Sequence, residues 1–467
     1  MQDAFDLVVI GAGQAGPFLA VKMAKRGLRV ALVEARELGG TCVNRGCTPT
    51  KTLRKSARVA YLARRAAEFG VRVGPVEVDF RAAMERMQAR VDTARGGLES
   101  FIAATEGLCV FKAHGRLAGR DGANFAVSAG ARVLSAPRVV LNTGTRPSRP
   151  PIPGLADVPF LDNESLLALR ERPNKLVIIG GSYIGLEMGQ IFRRLGSEVA
   201  IIEAGPRLTA REDVDVSAAI TAMLAEEGLD IFTGAGIARA QVNPQDGGVS
   251  VHLADGRVVS GSHLLVAAGR TPNTDKLGLE TVGIATDTRG FIETDDRLAT
   301  KVKGIWALGD INKRGAFTHT SYHDFEVLFE NWSSNSEPKR SAATRVPTYA
   351  MFTDPPLGHV GIYEADARQL AAQGRHISQA VMAMKDVSRA KEESETQGLI
   401  KLLIDEDSGA FLGASMLGLN ADEIIQIIGQ VMAAGGTWRT VREALPVHPT
   451  VAEFLPTLID RRMPLTA

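Results

Sequence analysis

The sequence predicts an α/β protein with two Rossmann-like dinucleotide-binding domains followed by a C-terminal α+β domain. Three observations carry this. The apolar run FDLVVI, from Phe5 to Ile10, passes directly into GAGQAG, with Gly11, Gly13 and Gly16. A helical stretch through Arg26 and a second strand, RVALVE, follow and end at Glu34. The same unit recurs as KLVIIG and GGSYIG, with Gly180, Ser182 and Gly185, then a helix through Leu195 and EVAIIE ending at Glu203. The glycine-to-acid spacing is 23 residues in both. Each unit later meets an apolar strand that closes on glycine: VVLNTG, with Thr143 and Gly144, and LLVAAG, with Gly269.

The residue types follow from what a dinucleotide needs. The first glycine makes a tight turn, the second lets the backbone approach a pyrophosphate, and the third lets helix and strand pack closely. The helix N-terminus faces the phosphates, and the acid at the end of the second strand takes ribose hydroxyls. Ser182 replaces the middle glycine of the second unit, a small change that still allows close approach. Two such units imply two dinucleotides.

At 467 residues the chain is too long for one core. Lys plus Arg is 54 and Asp plus Glu 53, a net charge of +1 that offers nothing to nucleic acid or an anionic membrane. There are 48 glycines and 5% aromatics, a balance typical of α/β nucleotide-binding enzymes. No apolar run reaches membrane-spanning length. The chain enters a strand at Phe5 without a signal peptide, so a cytoplasmic location is expected.

Taken in order, residues 1–150 are expected to form the first dinucleotide domain and 151–278 the second, after the Pro-rich connector RPSRPPIPG. Residues 279–345 return to the first domain, and 346–467 form the α+β domain, which carries no nucleotide signature. Arg54 to Ala104 has helical periodicity. The polar segment Asn331 to Arg345 is read as a linker.

Two of the three cysteines lie in GGTCVNRGCTPTK, between Gly39 and Lys51. In an ideal helix Cys42 and Cys47 would stand about 7.5 Å apart along the axis, too far for a disulfide. If the sulfurs bond, the first turn must be distorted. Gly46 permits this, and Pro49 suits a first turn. The free N–H groups of that turn would lower a thiol pKa. The stretch therefore reads as a redox-active dithiol. Cys109, in the apolar run LCVF, is expected to be strand packing.

These motifs, with AAGRTPN, GIWALGD, FTDPPLGHVGIYEADA and HPTVAE, together resemble the class I pyridine nucleotide–disulfide oxidoreductases over essentially the whole chain. Glutathione reductase, dihydrolipoamide dehydrogenase and mercuric reductase belong to that family. The resemblance implies a flavoprotein enzyme in which FAD is held by Gly11, Gly13, Gly16, Glu34, Thr41, Lys51, Gly115, Thr143, Gly144, Asp310 and Thr318. Asp310 would meet the ribityl chain. It implies NADH, with NADPH possible, at Gly180, Ser182, Tyr183, Gly185, Glu203 and Gly269, with Tyr183 as a lid in some relatives. Cys47 would be the thiolate beside the flavin and Cys42 the thiol that exchanges with substrate. Lys51 would pair with Glu187 near flavin N5. The C-terminal α+β domain would be a dimerisation domain, so that His448 and Glu453 complete the other subunit's site in a homodimer. A histidine there suits the proton transfer a dithiol needs, and a carboxylate fixes its tautomer.

Glu203 is expected to favour NADH, because a carboxylate repels a 2′-phosphate; Arg207 could soften the penalty. The second substrate is a small molecule, a disulfide or a metal ion. No cysteine follows Cys109, so the C-terminal pair of mercuric reductase is missing. FTHTSYHDFEVLF, from Phe317 to Phe329, looks closer to a mercuric-reductase-like group that includes a reactive-chlorine-resistance flavoprotein. His319 and His323 are i and i+4 on a helix. A capping or packing role is expected for them, because no third metal ligand is near. A dihydrolipoamide dehydrogenase-type subunit of a larger complex and a redox-sensing flavoprotein are the alternatives.

Overall fold

A computed structural model of the chain describes residues 3–245, 247–334, 337 and 339–466. Met1–Thr52, Met84–Ser148 and Gly269–Arg345 form one compact unit; Leu53–Ala83, Arg149–Ala268 and Val346–Ala467 form the other.

In the first unit a five-stranded sheet runs in the order Ile305–Ala307, Val139–Leu141, Leu7–Ile10, Val30–Glu34, Leu108–Lys112, all parallel. Leu7 and Val9 face one core with Leu19, Leu32 and Phe325. Val8 and Ile10 face another with Ala31, Phe125 and Ile305. Burial on both faces is why this strand is apolar at every position. The chain returns to this unit at Gly269: Arg270–Pro272 pairs antiparallel with Thr145–Pro147.

The second unit repeats the plan. Its parallel sheet runs Phe160–Leu161, His263–Val266, Lys175–Ile179, Glu198–Ile202, Asp230–Phe232. The C-terminal part of the same unit is a six-stranded antiparallel sheet. The helices Ala421–Ala433 and Phe454–Asp460 pack into the same core as its inner face. Among the described residues no helix is long and apolar enough to cross a membrane.

Two expectations need correction. Cys109 is on a strand, but that strand is the sheet edge and the cysteine is exposed, not packed. The segment 331–345 is not a free linker. Asn331–Ser333 end the helix Thr318–Ser333. Asn331 also exchanges two 2.8 Å hydrogen bonds with the Arg340 backbone, and Ala342 packs into a core. Polar side chains that close onto nearby backbone look like linker residues in a sequence. Residues 335, 336 and 338 lie outside the described residues.

A buried ion network ties the C-terminal sheet to helices of its own unit. Asp354 meets Arg194, Arg58 at 2.7 Å and Arg54 at 3.2 Å. Burial alone would raise its pKa, but Arg194 and Arg58, with Arg54, hold the carboxyl below the usual range. A depressed folded pKa gives stability that is complete above the unfolded value of about 3.9 and is lost as pH falls through the folded value. Asp354→Asn is therefore expected to unfold at lower urea than the native chain at pH 7. That deficit should shrink toward pH 3, and a deficit independent of pH would refute the assignment.

Candidate active site

The dithiol loop starts on two left-handed glycines, Gly39 (φ 97°) and Gly40 (φ 58°). The Gly39 N–H donates to the Ala12 carbonyl at 2.9 Å, and Gln14 Nε2 donates to the Gly39 carbonyl at 2.9 Å. The loop thus lies against GAGQAG. Gly40–Arg45 and Cys47–Arg64 are separate helices, broken at Gly46 (φ −137°, ψ −113°). This is the distortion that the cysteine spacing demanded. A Cβ on Gly46 would stand 3.0 Å from the Thr41 carbonyl oxygen.

The two cysteine side chains are close enough for Cys47 to be the largest influence on the Cys42 thiol. Thr318 Oγ1, at the start of the helix Thr318–Ser333, lies 3.3 Å from Cys47 Sγ. The neighbouring Cys47 sulfur, and then burial, push the Cys42 thiol well above its ordinary pKa. For Cys42 this overrides the lowering expected from the helix N-terminus, because two adjacent sulfurs resist ionising together.

The first glycine loop is a bare cradle. A Cβ on Gly11 would stand 2.3 Å from the Asn142 carbonyl oxygen, and one on Gly16 2.2 Å from that of Gly11. At Gly13 it would lie 3.1 Å from Asn142 Oδ1. Glu34 accepts the Ala12 N–H at 2.7 Å and the Arg36 N–H at 2.8 Å. Thr143 exchanges hydrogen bonds of 2.9 and 2.8 Å with Asn273, and left-handed Gly144 accepts the Asn273 N–H at 3.0 Å. Asp310 receives Thr145 Oγ1 at 3.2 Å, and Thr145 is held by Arg270 at 2.7 and 2.8 Å. Burial raises the Asp310 pKa against the pull of Arg270. Gly115 opens a strand where a Cβ would stand 2.7 Å from Ile10 Cγ2, so packing by itself requires glycine there. The bare loop, the helix N-terminus behind it and the fixed carboxylates fit a dinucleotide.

The second loop is wired in the same way. A Cβ on Gly180 would meet the Ala267 carbonyl oxygen at 2.5 Å, and one on Gly185 that of Gly180 at 2.0 Å. Glu203 accepts the Gly181 and Gly205 N–H groups, both at 2.7 Å, as Glu34 does in its own unit. Ser182 caps the helix Tyr183–Arg194 without a side-chain bond. Arg207 donates to the Ala210 carbonyl at 2.8 Å. Tyr183 donates to buried Glu212 at 2.8 Å; Tyr349 donates to the same oxygen at 2.6 Å and meets Tyr363 at 2.7 Å. Gly269, expected with this loop, belongs to the first unit, where its carbonyl accepts the Ser148 N–H at 3.0 Å.

Lys51 follows Cys47 by one turn on the same helix, within the first unit. Glu187 is buried in the second, with Oε1 accepting the Phe352 N–H at 2.8 Å. His448 Nδ1 lies 2.9 Å from Glu453 Oε2. The imidazole is 78% exposed while the carboxylate is 16% exposed, and nearby Leu445 and Val447 are also open to solvent. His319 is exposed and stacks on Phe317 at 5.5 Å. His323 Nδ1 accepts from Arg345 at 3.0 Å, and burial followed by Arg345 pushes its pKa down to about 4. It therefore serves the guanidinium.

Sequence reasoning passed over Asn142, whose Oδ1 accepts the Gly16 N–H at 2.9 Å while its Nδ2 donates to the Leu308 carbonyl at 2.8 Å. A lone amide at the end of the apolar run VVLN was the available signal. Arg270, Glu212 and Asp324 were also missed. Their partners are too distant in the sequence to announce them.

Comparison with known proteins agrees with this geometry. The family model "Pyridine nucleotide-disulphide oxidoreductase" matches residues 5–324, and that family's dimerisation domain matches residues 347–459. A probable pyridine nucleotide-disulfide oxidoreductase, RclA of Escherichia coli, is 33% identical over 98% of this chain and 99% of its own length. A dihydrolipoyl dehydrogenase of Chlamydia muridarum is 32% identical over 97% of this chain and 96% of its own. The solved Cu(II) complex of the HOCl-induced flavoprotein disulfide reductase RclA superposes with a TM-score of 0.88 at 32% identity, covering 98% of this chain and 99% of that one. With its two nucleotide cradles and its paired thiols, the chain belongs to the pyridine nucleotide-disulfide oxidoreductase family and is an FAD- and NAD(P)H-dependent oxidoreductase.

Proposed function

We infer that the chain passes electron pairs from NADH, through FAD and the Cys42–Cys47 pair, to a small disulfide or a thiophilic metal ion. The observation that carries this is the pair of cysteines set on either side of the helix break at Gly46, with Cys47 3.3 Å from Thr318 Oγ1. Cys42, held protonated by its neighbour, is the thiol that a base must activate. Cys47, at a helix N-terminus and beside Thr318, is where negative charge is best held. Bound FAD would supply the two-electron chemistry that links the nicotinamide to the disulfide form of the pair. His448, oriented through Nδ1 by Glu453, presents Nε2 as the base, and its exposure suits a role in the partner subunit's site of a homodimer. By resemblance to the family, Lys51 would serve the flavin N5 and Tyr183 the nicotinamide.

Glu203, fixed by two backbone donors, supports NADH. At about 4 Å and an effective dielectric of about 20, its repulsion of a 2′-phosphate approaches ~4 kcal/mol per unit charge. Arg207 is bonded to its own loop, which does not favour the compensating role considered for it. In stopped-flow flavin reduction, NADH is expected to exceed NADPH at least about tenfold in kcat/KM. A preference for NADPH sinks this assignment.

The acceptor is tested by an anaerobic panel of glutathione disulfide, lipoamide, Hg(II), Cu(II) and quinones, following NADH oxidation. The Cu(II) complex of the RclA relative supports including that ion. The similarity to a dihydrolipoyl dehydrogenase favours a second reading, lipoamide as partner. Failure to reduce NAD⁺ with dihydrolipoamide would dismiss it.

A further inference from the structure

The turn that presents Asp310 is held from behind by the carboxylate of Asp324. Gly309–Asn312 forms a tight 3-10 turn just after the strand Ile305–Ala307. Asp324, 1% exposed on the helix Thr318–Ser333, accepts the Gly309 N–H at 2.8 Å and Asn312 Nδ2 at 3.0 Å on a single oxygen, Oδ2. Its other oxygen pairs with Arg345. Gly309 is left-handed (φ 74°), and a Cβ there would stand 2.6 Å from Ser321 Oγ of the same helix. That helix begins at Thr318, whose hydroxyl touches Cys47. One rigid element therefore fixes the Asp310 turn at one point and the dithiol at another.

We propose that Asp324 is a positioning residue for the flavin: its Oδ2 locks the turn Gly309–Asn312, aiming Asp310 at the cofactor in register with Cys47. This rests on the reading that Asp310 holds FAD. Gly309 and Asn312 are both buried, so donors left unmet there would re-aim the turn rather than find water. The Arg345 pair is separable from this role, because it uses the other oxygen.

Asp324→Ala removes both contacts. Asp324→Asn keeps one acceptor oxygen for the turn but leaves Arg345 without its counter-charge. The test measures FAD release from the holoprotein by flavin fluorescence on dilution, beside thermal melting. Both variants are expected to melt earlier. Only Asp324→Ala should bind FAD at least about tenfold more weakly, with Asp324→Asn within about threefold of the native chain. FAD retention by Asp324→Ala equal to native, or equal losses in both variants, would overturn the proposal. If Asp324→Ala does not fold, Asn312→Ala carries the test, since it leaves the Asp324–Arg345 pair in place. At least threefold weaker FAD binding is expected, and no change overturns the proposal. A native protein that binds no FAD would instead refute the underlying reading.

Discussion

Cys42→Ala is expected to lower acceptor-dependent NADH oxidation at least about a thousandfold, as loss of a reacting nucleophile does in other enzymes. Flavin reduction by NADH should persist, because that half-reaction precedes the dithiol. The argument rests on the geometry of the loop. Cys42 is partly buried, and the neighbouring Cys47 pushes its pKa up. It leaves as a thiolate only when a base takes its proton. With alanine there, Cys47 has no partner with which to form a disulfide, and the electron pair taken from NADH has no route through sulfur. A stopped-flow half-reaction beside steady-state turnover on the best acceptor separates the two steps. Full turnover in Cys42→Ala would mean that electrons leave from the flavin directly, as in an NADH oxidase.

The second large effect is on stability. Lys401 is fully buried, and its ammonium lies 2.5 Å from Glu364, 2.6 Å from Asp215 and 3.2 Å from Asp213. Three carboxylates this close could hold a metal ion; here they surround a lysine. Burial alone would lower the Lys401 pKa, but the three carboxylates raise it. A raised folded value gives stability that is complete below the unfolded pKa of about 10.4 and is lost above it, so the bridge is intact at neutral pH. Lys401→Met leaves Asp213 buried beside two acids without a counter-charge. Breaking a buried pair from one side costs about 3–5 kcal/mol. The urea midpoint of the second unit should fall accordingly, and Glu364→Gln added to Lys401→Met should recover part of the loss. An unchanged midpoint would show that the carboxylates find other partners.

Much of the site was legible because its parts are local. Gly11, Gly13 and Gly16 occupy positions where any side chain would strike backbone or Asn142. The break at Gly46 was legible too, since two cysteines five apart can meet only if the helix fails between them. What could not be read was support from a distance. Asn142, Thr145, Arg270 and Asp324 act through one or two hydrogen bonds to residues far away in the chain. No periodicity marks such residues, because one long-range hydrogen bond leaves no pattern along the chain. Cys109 and the segment 331–345 failed for a related reason. Apolar neighbours do not say whether a strand is central or an edge, and polar residues do not say whether they face water or each other.

By itself the sequence determined the two nucleotide units, the dithiol that follows the first of them in the chain and the α+β domain at the end, because glycine spacing, strand patterning and cysteine placement are constraints on neighbouring residues. Only the tertiary structure decided which buried acids are balanced by Lys401 and Arg345, and what braces the turn that carries Asp310. Those outcomes depend on burial and on the distance between charges, and both exist only once remote segments have been brought together.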